Sequence, residues 1–147
     1  MRVLLGGTFD VLHKGHVRLL SRALKFSDVV IGLSTDEFAK KEKKRKVISF
    51  AKRKGALWKF FGKKKSRVKI FPLSDKFGIA ASDELADAIV VSEETKPVAV
   101  EINEIRKKKG MTPLKIISVP LVPAYDGKKI SSERILKKEI LPDGKKR

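Results

Sequence analysis

The chain has 147 residues, 41% of them hydrophobic, and a formal net charge of +18. That length suits one domain with its own core, and the hydrophobic share excludes a disordered chain. Cysteine is absent, no apolar run approaches the roughly 18 residues of a membrane span, and the opening "MRVLLGG" lacks the length and cleavage pattern of a secretory signal. Disulfide scaffolds and thiolate metal sites are thereby excluded, and a cytoplasmic location is expected. Glutamine is also missing and Asn103 is the one asparagine, while lysine abounds, a composition that suggests a thermophilic source.

In chain order, "RVLL" (2–5) reads as a buried strand that ends in a tight Gly6-Gly7 turn. Val17, Leu20 and Leu24 recur at helical spacing over 14–26. "DVVIGLS" (28–34) is a second buried strand, and a short helix is expected over 35–41. Phe50, Leu57 and Phe61 share one side of a third helix. "RVKIFPL" (67–73) is a strand stopped by Pro72, and "DAIVVS" (87–92) is the next. Ser92 then suits an N-cap, followed by a helix with Val98, Ile102 and Ile105 on one face that ends at Gly110. "KIISVPL" (115–121) is the fifth strand, Ser131 and Ser132 can cap a last helix, and the end "PDGKKR" is expected to be loose.

Strands and helices alternate, and the strands are continuous apolar runs. Both features imply a parallel sheet covered on two faces. The expectation is a single-domain α/β fold, a Rossmann-like doubly wound sheet of five parallel strands, with residues 1–140 as the domain and 141–147 as a basic tail. Ligands of such sheets bind beyond the carboxyl ends of the strands, where strand order reverses.

Charge is unevenly placed. Residues 40–69 hold fifteen bases against one acid, Glu42, a net of +14, whereas the rest of the chain is nearly balanced. A block of this kind either meets anions or is a solvated face. Its Phe50, Trp58, Phe60 and Phe61 could stack nucleic-acid bases, but at helical spacing they are better used in a core, so no specific nucleic-acid partner is expected.

Both histidines fall in "GGTFDVLHKGH" (6–16), three residues apart at the mouth of the first helix. The glycines permit close backbone approach and positive φ, and the helix amides favour an anion. Three readings are open. His13 and His16 can be plain capping residues. They can share a metal, for which Asp10 is the nearest third ligand. Or they can serve phosphoryl chemistry, donating to oxygens that gain charge.

The stretch "GGTFDVLHKGH" resembles the HxGH motif of the nucleotidyltransferase superfamily, and "KKISSERI" (128–135), about 115 residues later, resembles its second motif, ISSxxxR. The stretch 90–135, from "VVSEETKPVAV" to "KKISSERI", resembles the archaeal branch of the phosphopantetheine adenylyltransferase family, and the likeness extends to about Ile140. The resemblance implies transfer of the adenylyl group of ATP to 4′-phosphopantetheine, giving dephospho-coenzyme A and pyrophosphate. A sister activity on FMN, nicotinamide mononucleotide or glycerol 3-phosphate is the alternative.

By resemblance, His16 stabilises the α-phosphate in the transition state, His13 contacts the ATP phosphates and Thr8 orients the attacking phosphate. Gly7 and Phe9 lie beside the nucleotide, and Gly15 leaves it room. Ser131 and Ser132 open a helix at the β- and γ-phosphates. There the pattern departs: Glu133 replaces a small hydroxyl residue, Arg134 comes one place early and Leu136 stands where the final arginine belongs. Arg134 or Lys137 would then hold pyrophosphate, with Lys128 and Lys129 as further candidates. Among the loop lysines 40, 41, 43, 44 and 46, Lys41 and Lys44 are chosen for the acceptor phosphate. Arg53 matches a family arginine only loosely. Ser92, Thr95 and Lys96 occupy the place of arginines found in the bacterial branch, and Arg106 is a further substrate-binding candidate. Magnesium is expected with ATP, carried by phosphates and water, with Asp10 more suited to bracing its own turn and Asp126 as a possible helper. The assembly is expected to be a monomer or a small homo-oligomer.

Overall fold

A computed structural model describes all residues, Met1–Arg147. Five strands, β1 (Arg2–Gly7), β2 (Asp28–Ser34), β3 (Val68–Leu73), β4 (Ala88–Ser92) and β5 (Lys115–Val119), form one sheet in the order β3-β2-β1-β4-β5. Every pairing is parallel. The helices are α1 (Lys14–Ala23), α2 (Asp36–Lys43), α3 (Phe50–Phe61), α4 (Lys96–Lys108) and α5 (Ser132–Leu136). The chain leaves β1 toward β2 on one side and later returns to the other side at β4, so strand order reverses between β1 and β4. The α/β, doubly wound, five-stranded expectation holds.

The central strands β1, β2 and β4 are apolar on both faces because each face meets a helix layer, whereas the edge strands β3 and β5 each leave residues exposed. Val3, Leu5, Val29, Ile31, Leu33, Ala88, Val90, Ile117 and Val119 pack beneath Leu20 and Ala23 of α1 and Leu57 and Phe61 of α3. Leu4, Val30, Ile89 and Val91 face the opposite way, against Ala99 and Ile102 of α4. Burial of each such side chain contributes about 1.5–3 kcal/mol. On α4 the buried set is Ala99, Ile102 and Arg106, with Val98 and Ile105 only half buried.

Several boundaries differ from expectation. The strand β1 runs through Gly6 and Gly7, paired with Gly32 and Leu33, instead of turning at them. Pro72 stays inside β3, opposite Leu33, because β3 is an edge strand where a missing N–H leaves no ladder bond unmade. The helix α4 starts at Lys96 with Thr95 as N-cap, so Ser92 ends a strand and caps nothing.

The C-terminal end is tied down. Val122, Ala124, Ile130 and Ile140 make a small third core. Ile140 bridges Lys146, the Tyr125 amide donates to the Gly144 carbonyl at 2.9 Å, and the Lys14 amide donates to Pro142 at 2.8 Å. Residues 141–146 therefore brace the start of α1, where a loose tail was expected.

Candidate active site

The switch point between β1 and β4 is where the opening motif lies. Neither Gly6 nor Gly7 has positive φ; the left-handed residue is Phe9, at φ +48°. A non-glycine residue in that region carries strain of about 1–3 kcal/mol. The Phe9 ring folds back into the core, 2% exposed, under Gly7. A Cβ on Gly7 would sit 2.9 Å from that ring, so glycine here makes room for Phe9. Buried in this way, Phe9 supports the His16 ring, with centroids 5.1 Å apart, and has no open face for a nucleotide. A place beside the nucleotide, as expected from the motif, would fall to the Phe9 backbone, since its ring is buried.

The reversal delivers the chain to α1 with His13 in extended conformation as the N-cap. His13 Nδ1 accepts from the Gly15 amide (3.1 Å) and the His16 amide (3.4 Å), and His16 Nδ1 accepts from the His13 amide (3.3 Å). Two imidazoles thus build the reciprocal capping box usually made by Ser/Thr and Glu/Gln. Because each Nδ1 is an acceptor, each neutral ring carries its proton on Nε2. The rings stack with centroids 3.7 Å apart. Burial, then the Lys43 charge, pushes His13 down to about 4. Burial, then His13, pushes His16 down to about 3. The pair is a set of two neutral Nε2–H donors at the amino end of a helix. Capping and phosphate chemistry, set out above as alternatives, are compatible here: one ring nitrogen serves each. A Cβ on Gly15 would lie 2.9 Å from His13 Cε1 and 3.0 Å from its Nδ1. The space Gly15 protects is therefore that of the His13 ring, where room for the nucleotide was expected.

Thr8 sits at the end of β1, its hydroxyl 3.5 Å from Ser34 Oγ, and the Ser34 hydroxyl donates to the Gly7 carbonyl at 3.2 Å. Beneath them Arg53 of α3 is 1% exposed. It donates to the carbonyls of Thr8 (3.0 Å), Ser34 (2.7 Å) and Ile48 (2.6 Å) and pairs with Asp36 (2.9 Å). It ties the ends of β1 and β2 to the loop before α3.

The basic loop contributes Lys43 and Arg45. Arg45 NH2 lies 2.6 Å from Asp10 and 3.3 Å from Glu133, and Lys43 Nζ lies 3.4 Å from Glu133. Lys41 and Lys44 are exposed with no carboxylate partner, and the charge that acts on both histidines is that of Lys43. Lys43 and Arg45, rather than the expected Lys41 and Lys44, are the loop cations that pair with the carboxylates beside the two motifs. A lysine run shows no preference among its members; which of them faces inward is set by the turn of α2 and the left-handed C-cap at Lys44 (φ +55°).

The second motif arrives from the other end of the chain. Ser131 N-caps α5, accepting from the Arg134 amide at 3.3 Å. Ser132, expected to meet phosphate, is buried. Burial pushes the Asp10 carboxyl up, but Arg45 and Ser132 beside it outweigh this and the net shift is downward. Arg134 is occupied: it grips Asp126 at 2.5 and 3.3 Å and the Lys129 carbonyl at 3.1 Å. That fork holds the turn before α5, so Arg134 is not a free cation. Lys129 pairs with Glu94, linking this segment to the loop after β4. In that loop Thr95 Oγ1 accepts from the Ser92 amide at 3.0 Å, closing a turn beside the switch point.

Arg106 lies elsewhere. It is 1% exposed, and it donates to the carbonyls of Ala80, Asp83 and Thr112 at 2.8–2.9 Å, at the amino-terminal end of the sheet. Its assignment to substrate is withdrawn. No three His, Asp or Glu side chains are clustered as metal ligands: Asp10 pairs with Arg45, and each histidine uses Nδ1 in the helix cap. Asp10, Asp126 and Glu133 are each bound to an arginine. No helix is long and apolar enough to cross a membrane.

With this geometry in hand, the chain can be set beside known proteins. The family described as Cytidylyltransferase-like matches residues 4–138. A phosphopantetheine adenylyltransferase of Methanopyrus kandleri is 51% identical over 137 residues, covering 91% of this chain and 87% of that one. The phosphopantetheine adenylyltransferase of Methanothermobacter thermautotrophicus is 43% identical, covering 97% and 87%. A crystal structure of a protein of unknown function from Archaeoglobus fulgidus superposes with a TM-score of 0.74 at 31% identity, covering 81% of this chain and 89% of that one. Likeness of this extent, along a fold whose two motifs meet at one switch point, decides the family: the chain belongs to the cytidylyltransferase-like nucleotidyltransferases, in the branch that holds the archaeal phosphopantetheine adenylyltransferases.

Proposed function

We propose that the chain transfers the adenylyl group of ATP to 4′-phosphopantetheine, releasing pyrophosphate and forming dephospho-coenzyme A. The observation that carries this reading is the pair of neutral Nε2–H imidazoles at the start of α1, in a chain half identical to a curated phosphopantetheine adenylyltransferase.

Both reactants are anions, so catalysis comes from positioning and charge stabilisation, with no covalent intermediate on the protein. The acceptor phosphate attacks the α-phosphorus in line, and pyrophosphate leaves. His16 donates from Nε2 to an α-phosphate oxygen as negative charge grows there, and His13 donates to the neighbouring phosphate. A neutral donor suits this task, because it holds its proton throughout and needs no reprotonation. Thr8, with its carbonyl fixed by Arg53, orients the attacking phosphate. Lys43 and Arg45 neutralise phosphate charge on the facing side, and Gly7, Ser92, Thr95 and Ser131 line the crevice. Magnesium enters with ATP as the metal nucleotide. The nearby carboxylates Asp10, Asp126 and Glu133 are engaged by arginine, so the ion would be held mainly by phosphate and water and would neutralise phosphate charge there.

An acceptor panel tests the proposal. Purified protein is given ATP, Mg²⁺ and, in turn, 4′-phosphopantetheine, FMN, nicotinamide mononucleotide and glycerol 3-phosphate, and pyrophosphate release is followed. Turnover with 4′-phosphopantetheine alone is expected. Turnover confined to another acceptor would move the chain to a sister activity.

A further inference from the structure

Adenylyl transfer brings two phosphate-bearing substrates together, yet one carboxylate stands among the cations that would receive them. Glu133 Oε1 is 3.3 Å from Arg45 NH2 and 3.4 Å from Lys43 Nζ. Lys43 has no other acid partner, whereas Arg45 also pairs with Asp10, at 2.6 Å. The Glu133 side chain is 42% exposed and can swing away, while that of Asp10 is 2% exposed and fixed. Lys43 and Glu133 also act electrostatically on the same ring, His13. The carboxylate thus bridges two cations beside the imidazole donors, as a phosphate oxygen would.

We propose that Glu133 is an internal stand-in for substrate phosphate: its carboxylate neutralises the Lys43–Arg45 pair until an incoming phosphate displaces it. This rests on the adenylyltransferase reading for the identity of the phosphate. Three consequences follow from the arrangement. The basic loop is held against the second motif before substrate arrives. Phosphate binding is weaker than the bare cations would give. And the released carboxylate, repelled by bound phosphate, favours departure of pyrophosphate, so Glu133 trades affinity for turnover.

The experiment compares wild type with Glu133→Gln, which keeps the shape and removes the charge. The probe is inorganic pyrophosphate, titrated calorimetrically at fixed ionic strength, alongside KM for ATP and for 4′-phosphopantetheine, kcat and melting temperature. Glu133→Gln is expected to bind pyrophosphate roughly threefold to tenfold more tightly, with KM for at least one substrate falling alike and kcat unchanged or lower. Lys43→Ala should bind more weakly, and adding Glu133→Gln to it should give little gain, since the cation being competed for has gone. Glu104→Gln makes the same charge change on an exposed part of α4 and should alter nothing.

Unchanged or weaker binding by Glu133→Gln overturns the proposal, as does a gain that persists without Lys43 or that Glu104→Gln reproduces. A purely structural Glu133 would show as weaker binding with a lower melting temperature. If Glu133→Gln tightens pyrophosphate but 4′-phosphopantetheine is not adenylylated, the substrate reading fails and this one stands. A protein that binds no pyrophosphate in either form overturns both.

Discussion

The two ends of the sheet are each held by one buried arginine, and the pair is instructive because the two look alike and do different things. Arg53 and Arg106 are both 1% exposed. Each lies on a helix, and each donates to three backbone carbonyls. At the carboxyl end Arg53 fixes Thr8 and Ser34, which border the histidines. At the amino end Arg106 fixes Ala80, Asp83 and Thr112, which border nothing that reacts. A buried guanidinium satisfied by carbonyls is scaffold in both places. Its consequence for chemistry depends on what the held backbone carries.

The sharpest break between the ends is expected at His16. His16→Ala removes an Nε2–H donor aimed at developing charge, and turnover should fall by about 10²-fold or more. Losing half of the capping box should cost only about 1 kcal/mol of stability. Single-turnover rates and thermal melting on the same sample check both. A loss of turnover matched by wholesale unfolding would mean the ring is structural and nothing more.

The arginines themselves come next. Arg53→Met and Arg106→Met each remove three hydrogen bonds to backbone carbonyls, one of them fully buried in each case, and each should destabilise by about 3 kcal/mol, read from denaturant unfolding. The difference should appear in the folded fraction. Arg106→Met should keep its kcat per folded molecule, whereas Arg53→Met should lose about tenfold in kcat/KM as Thr8 is freed. Equal losses in the two would erase the distinction between the ends.

How far the sequence reveals this follows the range of the interactions. The alternation of continuous apolar runs with helical periodicity yields the parallel sheet, since it reflects burial on both faces of the central strands. The histidines are legible because their chemistry and their capping are both local, spanning 13–16. The arginines are not: Arg106 sits in "IRKKKG", where four bases look equally solvated, and only the carbonyls of residues 80 and 83 distinguish it. Lys43 and Arg45 stay hidden for the same reason. Their partners, Asp10 and Glu133, come from opposite ends of the chain and meet only through the fold. A glycine pair suggests a turn, whereas in the fold the turn is taken by Phe9 and Gly7 clears its path.

Acidity separates the ends more gently. His13 and His16 have folded-state values of about 4 and about 3 against an ordinary 6.5. Between those limits the unfolded chain binds more protons, so stability declines as pH falls below 6.5 and is indifferent to these rings above it. The Asp10 carboxyl, shifted downward, works in the same direction at still lower pH. Melting temperature should therefore drop on acidification, more so than in a His13→Asn variant, where asparagine can still cap α1. Over pH 6.5–8 the rate should show no step from an imidazole titration. A step near 6.5 that vanishes with His16 would show that one ring works as a cation.

The smallest effect expected is also the most local. Lys41 and Lys43 are two residues apart on α2 and carry the same charge, yet only Lys43 turns toward Glu133 and the imidazoles. An exposed lysine acts on a bound phosphate through water and salt, and at about 0.15 M ionic strength its field is screened within roughly 8 Å. Lys41→Ala should therefore change KM for either substrate less than twofold, and raising salt should shrink even that. Lys43→Ala should raise KM severalfold for the substrate whose phosphate it meets, with a change that survives added salt because the contact is direct. The ratio of the two effects, followed across ionic strength, measures how much of the +14 block is site and how much is solvated surface. A ratio near one would return the whole lysine run to the second class.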